Sequence, residues 1–137
     1  MQPHPSSLAD IAAQLPPQVV ATLTELFSDD LAQWSFIINL FFETMEQDLV
    51  SLDKAIRAKD DRLVIEAAHR IAGSARMLGH LLIGDAARAI ERLAQTVSSD
   101  DARGAHMQAA LDRLLSLAES FRVQASRCAW SDAPAAG

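Results

Sequence analysis

The sequence predicts an all-α protein: an antiparallel four-helix bundle with a short N-terminal helical extension. Three observations carry that reading. Half of the 137 residues are apolar, led by the helix formers Ala and Leu. The prolines stand at positions 3, 5, 16, 17 and 134, so none interrupts the long middle of the chain. Apolar residues recur there at steps of three and four, segment after segment, and no stretch alternates in the manner of a strand.

A short helix is expected from Leu8 to Leu15. Pro16 and Pro17 open a second, with Val19, Val20, Leu23, Leu26 and Phe27 clustering on one side. Asp29 or Asp30 caps a long third helix, whose stripe Leu31, Trp34, Ile38, Phe41, Met45, Leu49, Leu52 and Ile56 faces a core. The polar break "AKDD" (58–61) ends it and caps the next, which runs from about Asp61 to Met77 or Leu78 with Gly79 just past its end. A helix from about Leu81 to Val97 then places Leu82, Ala86, Ile90, Leu93 and Val97 on one face. "SSDD" (98–101) breaks the pattern before the last helix, where Met107, Leu111, Leu114, Ala118, Phe121 and Ala125 keep the same spacing. Four amphipathic helices joined by short polar turns make an antiparallel bundle. Residues 8–128 are read as this single domain, and residues 1–7 and 129–137 as flexible tails.

Composition removes several functions. A formal net charge of −6 without any basic cluster argues against nucleic acid as a partner. Cys128 is the only cysteine, which excludes an internal disulfide and a thiolate metal site. No apolar run approaches the roughly 18 residues of a membrane span. The opening "MQPHPSSLAD" lacks the basic and apolar regions of a signal peptide, so a cytoplasmic protein is expected. A monomer is expected as well.

One segment is odd. "EAAHRIAGSARMLG" (66–79) reads as helix, yet Gly73 sits in its interior, four residues after His69. Glycine there costs about 1 kcal/mol against alanine. At about 100° per residue, Leu63, Ala67, Ile71, Ala75 and Leu78 form the core stripe, and His69 lies on the opposite, solvent side. Arg62, Ile65, Ala72, Gly73 and Arg76 share its face, with Glu66 and Arg70 toward one flank. An outward Ile65 one turn before the histidine, and a nearly bare turn after it, leave room for something bulky to reach the imidazole. The bland alternatives are a meaningless surface histidine and a glycine that lets helices approach closely.

"AHRIAGSARMLG" (68–79) resembles the signature of histidine-containing phosphotransfer (HPt) domains, A-H-x-L-K-G-S-[AS]-x-x-L-G, matching at Ala68, His69, Gly73, Ser74, Ala75, Leu78 and Gly79. "FFETMEQDLVSLDKAIRAKDDRLVIEAAH" (41–69) looks like the family's long helix, turn and entry into the phosphorylated helix, and "DAARAIERLA" (85–94) like the helix that follows. The resemblance implies a phosphorelay carrier without a nucleotide site of its own. His69 would accept a phosphoryl group from a receiver-domain phospho-aspartate and pass it to another receiver. The receiver would bring Mg²⁺, and this chain would need no cofactor. Gly73 would give access, with Ile65, Arg62 and Glu66 in partner docking. The family's lysine three residues after the histidine is Ala72 here, so Arg76 or Arg70 is expected to supply the missing charge. The ends fit a free-standing carrier or a domain excised from the C-terminal end of a hybrid sensor histidine kinase, itself cytoplasmic at that end.

An exposed imidazole is a competent nucleophile near neutral pH without an activating base. No phosphate-cradling G-x-x-x-x-G-K-[ST] occurs, so a kinase is not expected. Two rivals remain. Glu66 and His69 form a single E-x-x-H, whereas di-iron bundles use two, facing inward. A helical docking module that binds or inhibits a receiver or kinase without phosphate chemistry is the stronger one, favoured by Ala72. Elsewhere Glu66 is read as steadying Arg70 one turn on, His4 as part of a tail, His80 as a helix-junction residue and His106 as lying near a helix start. Trp34 and Cys128 are read as core, and Trp130 as a terminal anchor.

Overall fold

A computed structural model describes residues 7–96 and 101–130. His4, Val97, most of the "SSDD" break and nearly all of both expected tails lie outside the described residues. Among the described residues six helices run in order: α1 (Leu8–Gln14), α2 (Pro17–Phe27), α3 (Leu31–Arg57), α4 (Asp61–Leu78), α5 (Leu81–Gln95) and α6 (Asp101–Ser126). Helices α3 to α6 form the bundle, with α3 on α4, α4 on α5, α5 on α6, and α6 closing back on α3. The α1–α2 extension packs on α3 and α4.

Local chemistry sets the helix starts. Ser7 caps α1 in a reciprocal box with Asp10, each main-chain N–H donating to the other's side chain at 3.2 Å. Asp30 and Asp60 accept from the amides of Gln33 and Leu63 at the starts of α3 and α4. The Trp34 indole N–H donates to the Ser28 carbonyl at 3.1 Å, which pins the α2–α3 turn. Helix α4 ends at Gly79, whose φ of 89° is left-handed, and the His80 N–H closes the turn onto the Ala75 carbonyl at 2.8 Å.

Trp34, Ile38, Met45, Leu52, Ile71, Ile90, Leu114 and Phe121 are fully buried at the centre. Phe121 of α6 meets Phe41 and Phe42 of α3 at centroid distances of 5.8 and 5.0 Å, and the His80 ring at 4.6 Å. Every residue of the α6 stripe is buried, as are Trp34 and Cys128, and Trp130 packs half-buried against the same core.

Three expected core leucines are instead exposed: Leu26, Leu63 and Leu82. Val64 and Ile83, the next residues after the latter two, are buried in their place. The cause is the contact between α4 and α5. Ala72 and Gly84 meet there, and Ala68 and Ala87 are buried in the same two helices. These small side chains contribute little hydrophobic signal, yet they rotate the buried arcs of both helices toward each other.

Gly79 has no alternative to glycine. A Cβ there would sit 2.7 Å from the Gln18 carbonyl oxygen and against the Thr22 hydroxyl, besides adopting a positive φ. Gly79→Ala is expected to lose more than about 2 kcal/mol in urea denaturation. His80 makes the fold pH-dependent. Its Nδ1 accepts the Ile83 N–H at 3.2 Å, which caps α5 and leaves the ring proton on Nε2. Burial pushes its pKa below the ordinary 6.5. The unfolded chain therefore takes up a proton that the folded chain resists. Stability is full above the ordinary imidazole value and is lost as pH falls below it. Denaturation midpoints should decline from about pH 7 to about pH 5, and less steeply in His80→Asn, which caps without titrating.

Candidate functional site

His69 stands near the middle of α4 with 76% of its side chain exposed. Its Nδ1 lies 3.4 Å from Oε1 of Glu91, a carboxylate on α5 whose side chain is only 18% exposed. An anion at that range favours the ring proton on Nδ1, which leaves the lone pair on Nε2. No hydrogen bond or ion pair among the described residues engages Nε2. One turn on, the place a Cβ of Gly73 would occupy has nothing within 4 Å. The approach to the ring is open, so the internal glycine does not serve helix contact.

Glycine does that work elsewhere. A Cβ at Gly84 of α5 would come 3.3 Å from Arg76 Cγ and 3.8 Å from the Ala72 carbonyl oxygen. The stem of Arg76 thus lies across α5 at the one point where α5 has no side chain.

The expected face of α4 is narrower than its spacing implied. Ala72 is buried at 4% exposure, and Ile65 is half-buried and packed on the core. Both turn toward α5, which covers the flank that a lone amphipathic helix would leave wet. Gly73, Arg62, Glu66 and Arg76 are exposed, as expected. Glu66 reaches back to Arg62 at 3.7 Å, rather than forward to Arg70, in an exposed pair of little energetic weight. Arg70 turns the other way, its Nε donating to Asp48 of α3 at 3.0 Å. That pair, with Asp48 largely buried, ties α3 to α4 and leaves Arg70 committed.

Glu91 was not legible as a site residue from local pattern, because it belongs to another helix. A signal existed in the turn. The two-residue link Gly79–His80 makes residues equidistant from His80 meet across the α4–α5 seam, as Arg76 does with Gly84 and His69 with Glu91. On the other flank, counting along both helices from the Asp48–Arg70 contact sets exposed Met77 near the level of exposed Leu40, and Phe36 is exposed one turn further along α3. Among the described residues, no group of three His, Cys, Asp or Glu side chains is placed to hold a metal ion, and no helix is long and apolar enough to cross a membrane.

The family model of the Hpt domain matches residues 37–120 of this chain, which takes in most of the long helix, the whole His69 helix and most of the last one. No curated protein and no solved structure matches it.

If Gly73 serves access alone, filling it stabilises the fold. Gly73→Ala is expected to raise unfolding free energy by up to about 1 kcal/mol in urea titrations, the helix-propensity difference with no clash to offset it.

Proposed function

This chain belongs to the Hpt domain family of phosphotransfer modules, and from that premise we propose that His69 is the residue that carries the phosphoryl group. Hpt domains are phosphocarriers of two-component phosphorelays rather than enzymes in the usual sense. The observation that supports His69 is its geometry: an exposed ring with its Nδ1 beside Glu91, and open space one turn on where a Gly73 Cβ would stand.

In the proposed step, the Nε2 lone pair attacks the phosphorus of an aspartyl phosphate on a receiver domain. The N–P bond forms as the P–O bond to aspartate breaks, and the aspartate leaves as a carboxylate with that electron pair. The ring, still protonated on Nδ1, gains positive character, which the Glu91 carboxylate stabilises. Transfer onward to a second receiver reverses these events. Such chemistry depends on in-line positioning and charge stabilisation more than on covalent help. A ring on a rigid helix supplies the positioning.

Docking of the receiver falls on the exposed surface around the ring. Arg62 and Glu66 are exposed and are read as part of it. Half-buried Ile65 offers only an edge, and the exposed apolar contribution comes from Met77, Leu40 and Phe36 on the α3 flank. An apolar centre within a polar rim is the usual make-up of such interfaces.

Incubation with a panel of phosphorylated receiver domains tests the reading. The natural protein should take up label that is acid-labile and stable to base, while folded His69→Gln takes up none. Label that persists in His69→Gln, or a natural protein that binds a receiver yet stays unlabelled, would overturn it, the second outcome in favour of an inert docking module.

A further inference from the structure

We propose that Arg88 of α5 holds the phosphoryl group on His69, supplying from the neighbouring helix a cation that α4 does not place beside the ring. The inference rests on His69 as the phosphorylated residue and goes beyond it to the group that meets the phosphoryl oxygens.

A phosphohistidine carries a dianionic phosphoryl group, and a cation at its oxygens stabilises both the product and the charge shared during transfer. Helix α4 is poorly equipped for this. Ala72, one turn after His69 and on its α5 side, is buried and has no charge. Arg70 donates to Asp48, and Arg62 is paired with Glu66 on the far side of the histidine.

The turn register identifies the substitute. His69 faces Glu91 and Arg76 faces Gly84 across the seam, each pair equidistant from His80. The same rule sets Arg88 opposite Ala72. Arg88 lies three residues before Glu91 and four after Gly84, so it shares the edge of α5 that those two contacts turn toward α4. It is exposed, and no hydrogen bond or ion pair among the described residues engages it. The small Ala72 lets its side chain fold over the seam toward Nε2. Arg76 is held by its stem against Gly84, one turn further from the ring, and serves as the internal control.

The probe is phosphoramidate, which phosphorylates histidine without a partner, read by ³¹P NMR. The phosphoryl group of labelled natural protein should titrate at lower pH than the same group in urea-denatured protein. Arg88→Ala should raise that midpoint by about half a pH unit or more, Arg88→Lys should retain the natural value, and Arg76→Ala should shift it less than Arg88→Ala. Glu91 pushes the midpoint up in every folded form and cancels in the comparison among the variants; against the denatured protein it opposes the expected shift. An Arg88→Ala midpoint equal to the natural one, with signal still abolished by His69→Gln, would overturn the role of Arg88 while leaving His69 intact. Absence of a His69-dependent signal in the natural protein would overturn both. Circular dichroism and urea midpoints of each variant must match the natural protein; a midpoint shift found only alongside lost stability would assign Arg88 a structural role and also count against the proposal.

Discussion

The contact between α4 and α5 is the constraint from which the site follows. Helix α4 is gripped on two sides: by α3 through Asp48 and Arg70, and by α5 through a seam of small residues. Ala68, Ala72, Gly84 and Ala87 bury little area each, so their value lies less in hydrophobic energy than in separation. Helices pack at 8–10 Å depending on the side chains between them. With small residues between them, α4 and α5 come near enough for the Glu91 carboxylate to reach His69. With leucines in the seam the same carboxylate would hang in solvent, and neither ring nitrogen would be distinguished from the other.

The two-residue turn converts that proximity into register. Gly79 reverses the chain in a conformation that no other residue adopts cheaply, and His80 begins α5 at once by capping it with a ring nitrogen. A longer link would leave the helices free to slide by a turn. The edge contact of His80 with Phe121 of α6 fixes the same turn to the opposite wall of the bundle. The partners of His69 are thus set by a feature some 15 Å along the helix, at about 1.5 Å per residue. A carrier assembled this way is ordered before its partner arrives, and docking need not meet the entropy of arranging it.

Much of this was legible in the sequence, and the failures share one cause. Helix existence and order came directly from three-four periodicity, and the helix limits from Asp29 or Asp30, "AKDD" and Gly79, since those signals act within a few residues. His69 and Gly73 were correctly placed on the solvent side for the same reason. Ala72, Ile65, Leu63 and Leu82 were misplaced because a hydropathy stripe locates only the contact made by large side chains. The α4–α5 seam is built from alanine and glycine, which that measure barely registers, so the buried arcs were drawn too narrow and turned away from it. Glu66 was given Arg70 as its neighbour and Arg70 left available, because a partner on α3 competes only once the bundle exists. Glu91 and Arg88 carry no local sign of function. Their relation to His69 is a matter of counting back from the turn.

The two glycines of "GSARMLG" show why a shared motif does not imply a shared reason. Gly79 is fixed from within: its dihedral angle and the α2 backbone both reject a side chain, and the chain folds less well without it. Gly73 is rejected by nothing inside the molecule. It has an ordinary helical conformation and open space where a Cβ would point, so folding alone would favour alanine. A residue that lowers the stability of the isolated protein and relieves no internal contact makes sense only against something outside it. The body that needs the space must come close to the helix backbone itself, within a side chain's thickness of the imidazole. That requirement describes an approaching folded surface better than a small molecule, which could reach the protruding Nε2 from above with alanine in place.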